Sequence, residues 1–310
     1  MADAIRAARG VGDLTVVERW IDARANAVLE RGGGRWRPWA VDAVVFVLKQ
    51  AWACVFGFLI LVAIVAVRLW WPSDAAVAPN DALVVIAVGI QVGMLLTRLE
   101  TVRELWVVVL FHVVGTIMEL FKTDVGSWTY AADGVLRIGG VPLFSGFMYA
   151  AVGSYMVRSM RLFDLRFTRY PPLWATVVLG AAIYANFFTH HVVWDARWVL
   201  VVAVLLLWGR TVMHARVHAG TWRWPLLVPF VGVGVAIWIA ENVGTAVGAW
   251  TYPNQVDGWE PVSPQKVVSW FLLMIISVVL VTLVHRPRTP DAVGRGTDAA
   301  VRSPRASSAA

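Results

Sequence analysis

Glu119-Leu-Phe-Lys-Thr-Asp-Val-Gly126-Ser-Trp128-Thr-Tyr130 and Glu241-Asn-Val-Gly-Thr-Ala-Val-Gly248-Ala-Trp250-Thr-Tyr252 are two copies of one motif, set 122 residues apart in a chain of 310. They agree at Glu, Thr, Val, Gly, Trp, Thr and Tyr, seven of twelve positions. Each copy opens on a carboxylate at the end of an apolar run. An ionisable group in such a run is expensive and marks a functional site by default. Reading outward, each motif terminates one helix and begins a turn, so the pair predicts a duplicated helical framework.

The surrounding composition names the solvent of that framework. Hydrophobic residues make up 59% of the chain, charged residues 15%, and there are 18 Trp; the mean hydropathy is +0.66. These values describe a multi-pass membrane protein, not two soluble domains. The net charge of +7 comes from Lys and Arg spread through the connections between apolar runs, so no nucleic-acid partner is expected. The single cysteine, Cys54, gives no disulfide framework and reads as a buried small hydrophobe.

Eight runs approach the roughly twenty residues needed to cross a hydrocarbon core: 42–67, 81–97, 102–121, 141–160, 172–190, 196–214, 224–246 and 265–285. The fold class expected is therefore all-α, a polytopic bundle of about eight transmembrane helices built as two parallel four-helix repeats. The repeat halves are about 41–162 and 163–285, related by a pseudo-two-fold axis along the membrane normal. Pro142 and Pro264 begin the fourth and eighth runs at the same 122-residue offset. Residues 1–40 form an N-terminal segment in which Asp13 caps an interfacial helix that ends at Gly32-Gly33-Gly34. Residues 286–310, rich in Arg, Pro, Ser and Ala, form a disordered tail.

Arg98, Arg103, Arg158, Arg161, Arg166, Arg169, Arg210, Arg216 and Arg223 fall on one side of this arrangement, together with both termini. The other side holds Arg68, Lys122, Arg137, Arg197 and Lys266 among a larger number of acids. The positive-inside rule then places the protein in the cell membrane with both termini cytoplasmic and both motifs facing outward.

Candidate chemistry collects at the motif end. Glu119 and Glu241, brought to one pocket, form a carboxylate pair suited to general acid chemistry; alternatively, each ties down its own loop. His112 precedes Glu119 by seven residues on the same helical stripe and joins the catalytic candidates, as does His190. Asn186 and His191, from Tyr184-Ala-Asn-Phe-Phe-Thr-His-His, arrive at the same depth and are candidate substrate contacts. So are Asn242, Trp128, Tyr130, Trp250 and Tyr252. Adjacent histidines point about a hundred degrees apart and lack the His-x-x-x-His spacing of one helix face, so neither metal nor other cofactor is expected.

The stretches Val141-Pro-Leu-Phe-Ser-Gly-Phe-Met-Tyr-Ala, Tyr184-Ala-Asn-Phe-Phe-Thr-His-His, Ile237-Trp-Ile-Ala-Glu-Asn-Val-Gly-Thr and Ser269-Trp-Phe-Leu-Leu-Met together resemble the YoaT-type family of bacterial membrane proteins, a domain of unknown function. The resemblance spans about residues 40–285 and implies a multi-pass membrane protein. The Glu, Gly, aromatic, Tyr pattern followed by Val141-Pro142 is similar to carotenoid hydratases and to lycopene cyclases of the small-subunit type. That likeness implies a hydratase, cyclase or isomerase acting on a membrane-soluble isoprenoid or other lipid, with the glutamates as proton donors. A small-molecule or proton-coupled transporter and a non-catalytic structural membrane protein are the other readings.

Overall fold

The computed structural model describes residues 15–30 and 36–290, and it is mostly helical. Ten α-helices follow one another among these residues. They are α1 (Val16–Glu30), α2 (Arg37–Ala53), α3 (Val55–Trp70), α4 (Pro79–Leu96), α5 (Val102–Asp124), α6 (Phe144–Leu162), α7 (Leu173–Thr189), α8 (Arg197–Trp208), α9 (Leu227–Ala246) and α10 (Lys266–Val284). Short strands were not expected from the all-α reading. β1 (Arg137–Ile138) and β2 (Val141–Pro142) form a hairpin between α5 and α6, and β3 (Arg166–Thr168), β4 (Val212–Arg216) and β5 (Thr221–Pro225) form an antiparallel sheet in the order β3-β4-β5.

Four helices, α4, α5, α9 and α10, are long and apolar enough to cross a membrane, and α2 with α3 makes a fifth if that bent pair is one span. This is a smaller number than eight, for local reasons. The first apolar run breaks at Cys54 with a bend of 57°, and Cys54 is exposed at that break instead of buried. The sixth run ends early because the chain turns at Gly209 and enters β4. α6 carries buried Ser145, Ser154, Arg158 and Ser159, which lowers its apolarity without removing it from the bundle.

α5 starts on a capping box in which the Thr101 hydroxyl accepts from the Glu104 N–H at 3.2 Å and Glu104 Oε2 accepts from the Thr101 N–H at 2.7 Å. Such a cap is worth about 1 kcal/mol. α5 and α6 pack closely because Gly115 lies directly under the Tyr149 ring, where a Cβ would collide with it. The cores run through the bundle in two main clusters, one around Phe56, Phe111 and Phe144, the other around Trp208, Phe230 and Ile275.

α1 docks on α2 and on the turn beyond β4, through Ile21, Ala25, Val41, Val45 and Val217. Its first turn is capped by Thr15 and Glu18; Asp13 and Gly32 to Gly34 lie outside the described residues. The start of the expected tail is held in place, since the Phe167 N–H donates to the Arg288 carbonyl at 2.8 Å. Residues 291–310 lie outside the described residues.

Candidate functional site

Each motif forms a clamp on its own carboxylate. Both helices end where the sequence turns at a glycine: Gly126 has φ +71° and Gly248 φ +69°, a backbone conformation that side chains with a Cβ disfavour. The turn brings the following aromatics back over the helix. Glu119 accepts from Trp128 Nε1 at 2.8 Å, from the Tyr130 hydroxyl at 2.7 Å and, across the α5–α6 contact, from the Tyr149 hydroxyl at 2.8 Å. Glu241 accepts from the Tyr252 hydroxyl of its own motif and from Trp270 Nε1 of α10 at 2.6 Å. Burial and the neighbouring Glu119 carboxylate push the Tyr130 phenol far above its ordinary range. Tyr252 is pushed up in the same way by burial and Glu241. Both phenols therefore stay protonated and serve as permanent donors.

The two clamps meet. Thr129 and Thr251, equivalent positions of the two motifs, exchange both backbone hydrogen bonds at 3.0 Å in an antiparallel bridge. Trp128 and Tyr252 pack edge to face at 5.9 Å. The Lys266 ammonium sits over Tyr252 at 4.3 Å and over Trp128 at 5.7 Å, an arrangement favoured by the negative face of an aromatic ring.

Glu119 and Glu241 both line one large cavity of about 730 Å³. Its other walls are mostly apolar, from Phe58, Ile64, Met118, Met148, Ala236 and Met274 among others. The lining includes the exposed side chains of Phe58 and Val228, so the cavity reaches the outer surface of the bundle. A second cavity of about 350 Å³ adjoins it, lined by Lys122, Asn186, His190, His191, Arg197 and Lys266. Trp128, Tyr149, Tyr252 and Trp270 line both. Four of the five aromatic donors of the clamps thus form part of the partition between an apolar chamber and a cationic one.

The remaining candidates separate into three groups. Tyr130 and Trp250 line the large cavity alone, but Trp250 does not reproduce the role of Trp128: its ring lies against Gly244, and Trp270 takes the place of donor to Glu241. Asn186, His190 and His191 belong to the small cavity. Asn186 donates to Asp195 at 3.2 Å and accepts from the Ala196 N–H at 2.9 Å, which fixes the turn into α8. His190 Nδ1 lies 3.0 Å from the Asn186 carbonyl, and the His190 and His191 rings are 4.0 Å apart. Burial, then the Lys122 ammonium, holds His191 below the ordinary imidazole value, and its Nε2 lies 2.9 Å from Lys122 Nζ. Among the described residues no group of three or more His, Cys, Asp or Glu is placed to hold a metal ion.

His112 and Asn242 fall outside both cavities. The His112 ring packs edge-on against Phe147 of α6 at 4.7 Å, beside the gap left by Gly146. Asn242 anchors the loop before α10 by donating to the Trp238 carbonyl at 2.8 Å and accepting from the Val262 N–H at 2.9 Å. Sequence reasoning passed over Tyr149, Trp270, Lys266 and Arg197. Tyr149 and Trp270 stand at unequal distances, seven and six residues, after Pro142 and Pro264, so the repeat gave no signal for them.

Comparison with known proteins gives the family. The family model described as "Protein of unknown function (DUF817)" matches residues 42–278. The uncharacterised protein YoaT of Bacillus subtilis (strain 168) is 42% identical over 234 residues, 75% of this chain and 88% of that one. Two crystal structures of the mycobacterial Insig homologue MvINS, one from Mycobacterium vanbaalenii and one of a cross-linked trimer, are similar at TM-scores of 0.44 and 0.45 with 15% and 16% identity. Each covers 61% of this chain and 98% of its own.

Proposed function

The chain belongs to the protein family of unknown function DUF817, and from that premise we propose that this membrane protein binds a membrane-soluble isoprenoid or other lipid in its large apolar cavity. The observation that carries the reading is the cavity itself: about 730 Å³ of apolar chamber, within the size range of small-molecule sites, reaching the surface of the bundle at Phe58 and Val228 and ending on two buried carboxylates. An apolar chain fills the chamber, and Glu241 meets a polar group on it. A carboxylate has about four lone-pair sites. Glu119 has three protein donors and Glu241 two, so Glu241 keeps more capacity for a ligand.

The same placement supports acid–base turnover of the bound lipid, by hydration, cyclisation or isomerisation. Glu241 exchanges the proton with the substrate, and Glu119 holds the clamp that shapes the chamber. The cell membrane, with both termini cytoplasmic, is the proposed setting.

A duplicated architecture accompanies this proposal, with α3–α6 and α7–α10 as two parallel halves. Several coincidences at one offset support it. α6 and α10 begin and end 122 residues apart, α5 and α9 end 122 residues apart, and the Thr129–Thr251 bridge pairs equivalent residues.

The test is purification with native lipids followed by mass spectrometric identification of what remains bound. An enriched apolar molecule is expected in the wild type and its loss in Ala236→Phe, which fills the chamber. Its retention with altered turnover or affinity is expected in Glu241→Gln. If nothing is enriched, or if Ala236→Phe changes nothing, lipid binding in this chamber is wrong. Proton-coupled uptake into sealed vesicles that requires Glu241 would instead make the protein a transporter.

A further inference from the structure

The small cavity gathers cations, and among the described residues two of them, the Lys122 and Lys266 ammonium groups, form no ion pair within 4.0 Å. Lys122, Arg197 and Lys266 line it with His190 and His191, and no Asp or Glu is among its lining residues. Arg197 has its own counter-ion, Asp195, at 3.2 Å. The lysines differ. Among the described residues no carboxylate lies within 4.0 Å of either ammonium. Lys122 is only 5% exposed, and its ammonium lies 2.9 Å from His191 Nε2 and 4.3 Å from the centre of the Phe187 ring. Lys266 rests on Tyr252.

Two ammonium groups sharing one chamber repel each other, and burying the Lys122 ammonium costs several kcal/mol unless an opposite charge accompanies it, while Lys266 is half-buried. Aromatic faces recover about 0.5–2 kcal/mol of that for each cation. The balance favours an anion between them. Ser127, Ser263 and Ser269 also line the chamber and add hydroxyl donors suited to an anion's oxygens.

Position selects the kind of anion. The chamber meets the large apolar cavity at Trp128, Tyr149, Tyr252, Trp270 and Leu273, the side chains common to both. A molecule lying across this partition needs one charged end and one apolar end. We propose that the ligand is an amphiphile with an anionic head, a phosphate or a carboxylate, held by Lys122 and Lys266 while its chain occupies the apolar cavity. This rests on the lipid-binding reading above and specifies the head group that reading leaves open. The lysines have no counterparts at the 122-residue offset, where Gly244 and Phe144 stand, so only one head site is built.

The experiment uses the full chain in detergent and native mass spectrometry with matched probes: phosphatidic acid against diacylglycerol with the same acyl chains, and oleic acid against oleyl alcohol. The wild type is expected to prefer each anionic partner by about tenfold or more, the scale of one good charge-assisted contact. Lys122→Gln with Lys266→Gln is expected to reduce that preference to about twofold or less, and Lys122→Arg with Lys266→Arg to keep it, which separates loss of charge from loss of fold. Equal binding of charged and neutral partners by the wild type would overturn the head-group assignment while leaving the cavity reading intact. Binding of both classes that ignores Ala236→Phe would remove the cavity reading, and this proposal with it. A lysine-dependent thermal shift with inorganic phosphate, without any preference among the lipids, would show a free-anion site and overturn the amphiphile.

Discussion

The helix pair α5 and α6 carries buried charge at both ends, and the two ends treat it in opposite ways. Near the start of α5, charge meets charge. Arg158, 1% exposed, bonds Glu100 at 3.1 Å, and Glu100 also accepts from Gln91 at 2.6 Å and from Ser154. Arg161 bridges Glu18 at 2.9 Å and Glu104 at 3.2 Å, which ties α1 to the bundle. At the other end, carboxylates and ammonium groups are kept apart. Glu119 and Glu241 take their hydrogen bonds from Trp and Tyr, and Lys122 and Lys266 rest on rings and an imidazole. The first arrangement closes its electrostatics within the protein and serves the fold. The second leaves acid and base on opposite sides of an aromatic partition, each beside a cavity. Arg158 and Arg161 would pass in the sequence for loop charges that set orientation; the burial of Arg158 and the two ion pairs of half-buried Arg161 make them internal braces.

The comparison can be broken from either end. Removing one partner of a fully buried pair costs about 3–5 kcal/mol, so Arg158→Ala is expected to give the largest loss of thermal stability in detergent. A loss under about 1 kcal/mol, the range of an exposed pair, would mean that this end is not the brace described. Glu119→Leu strands three donors at once; at about 1–3 kcal/mol for a buried unsatisfied group, with incomplete additivity, the expected loss is about 3 kcal/mol. Glu119→Gln, which keeps one acceptor oxygen, should lose less than half as much by the same measurement. The smallest effect is expected at the turns. Gly126→Ala and Gly248→Ala meet no atom within 4 Å, so the cost is backbone strain alone, about 1 kcal/mol each. Unequal losses at the two glycines would show that the clamps are not matched in energy.

The long apolar helices were legible in the sequence because hydrophobic runs and a terminating glycine are local signals. The motif ends of α5 and α9 and the start of α6 near Pro142 fell close to their observed places. The break at Cys54 had no such signal, since Trp52-Ala-Cys-Val continues the apolar pattern without Gly or Pro. The early end of α8 did carry a signal in Gly209, but Thr211-Val-Met beyond it is compatible with either helix or strand, and pairing with β3 and β5 decides it. In the site, Glu119 and Glu241 stood out as charges in apolar runs, and their aromatic partners Trp128, Tyr130 and Tyr252 lay inside the same motif. Tyr149 and Trp270 looked like ordinary membrane-helix aromatics until the packing of α6 and α10 turned them onto the carboxylates. A seven-residue step drifts by about 20° around a helix. The His112 ring instead packs against Phe147 beside Gly146. The cationic chamber gathers Lys122, His191, Arg197 and Lys266 from separate elements, and no spacing rule along the chain could assemble it.

The bridge between Thr129 and Thr251 has a mechanical consequence. Two reciprocal backbone bonds and the Trp128–Tyr252 contact rivet the two motif turns into one plate. The plate carries a donor to each glutamate and forms part of the wall between the chambers. Tilting one turn must drag the other, so a displacement at either motif is felt at both carboxylates together.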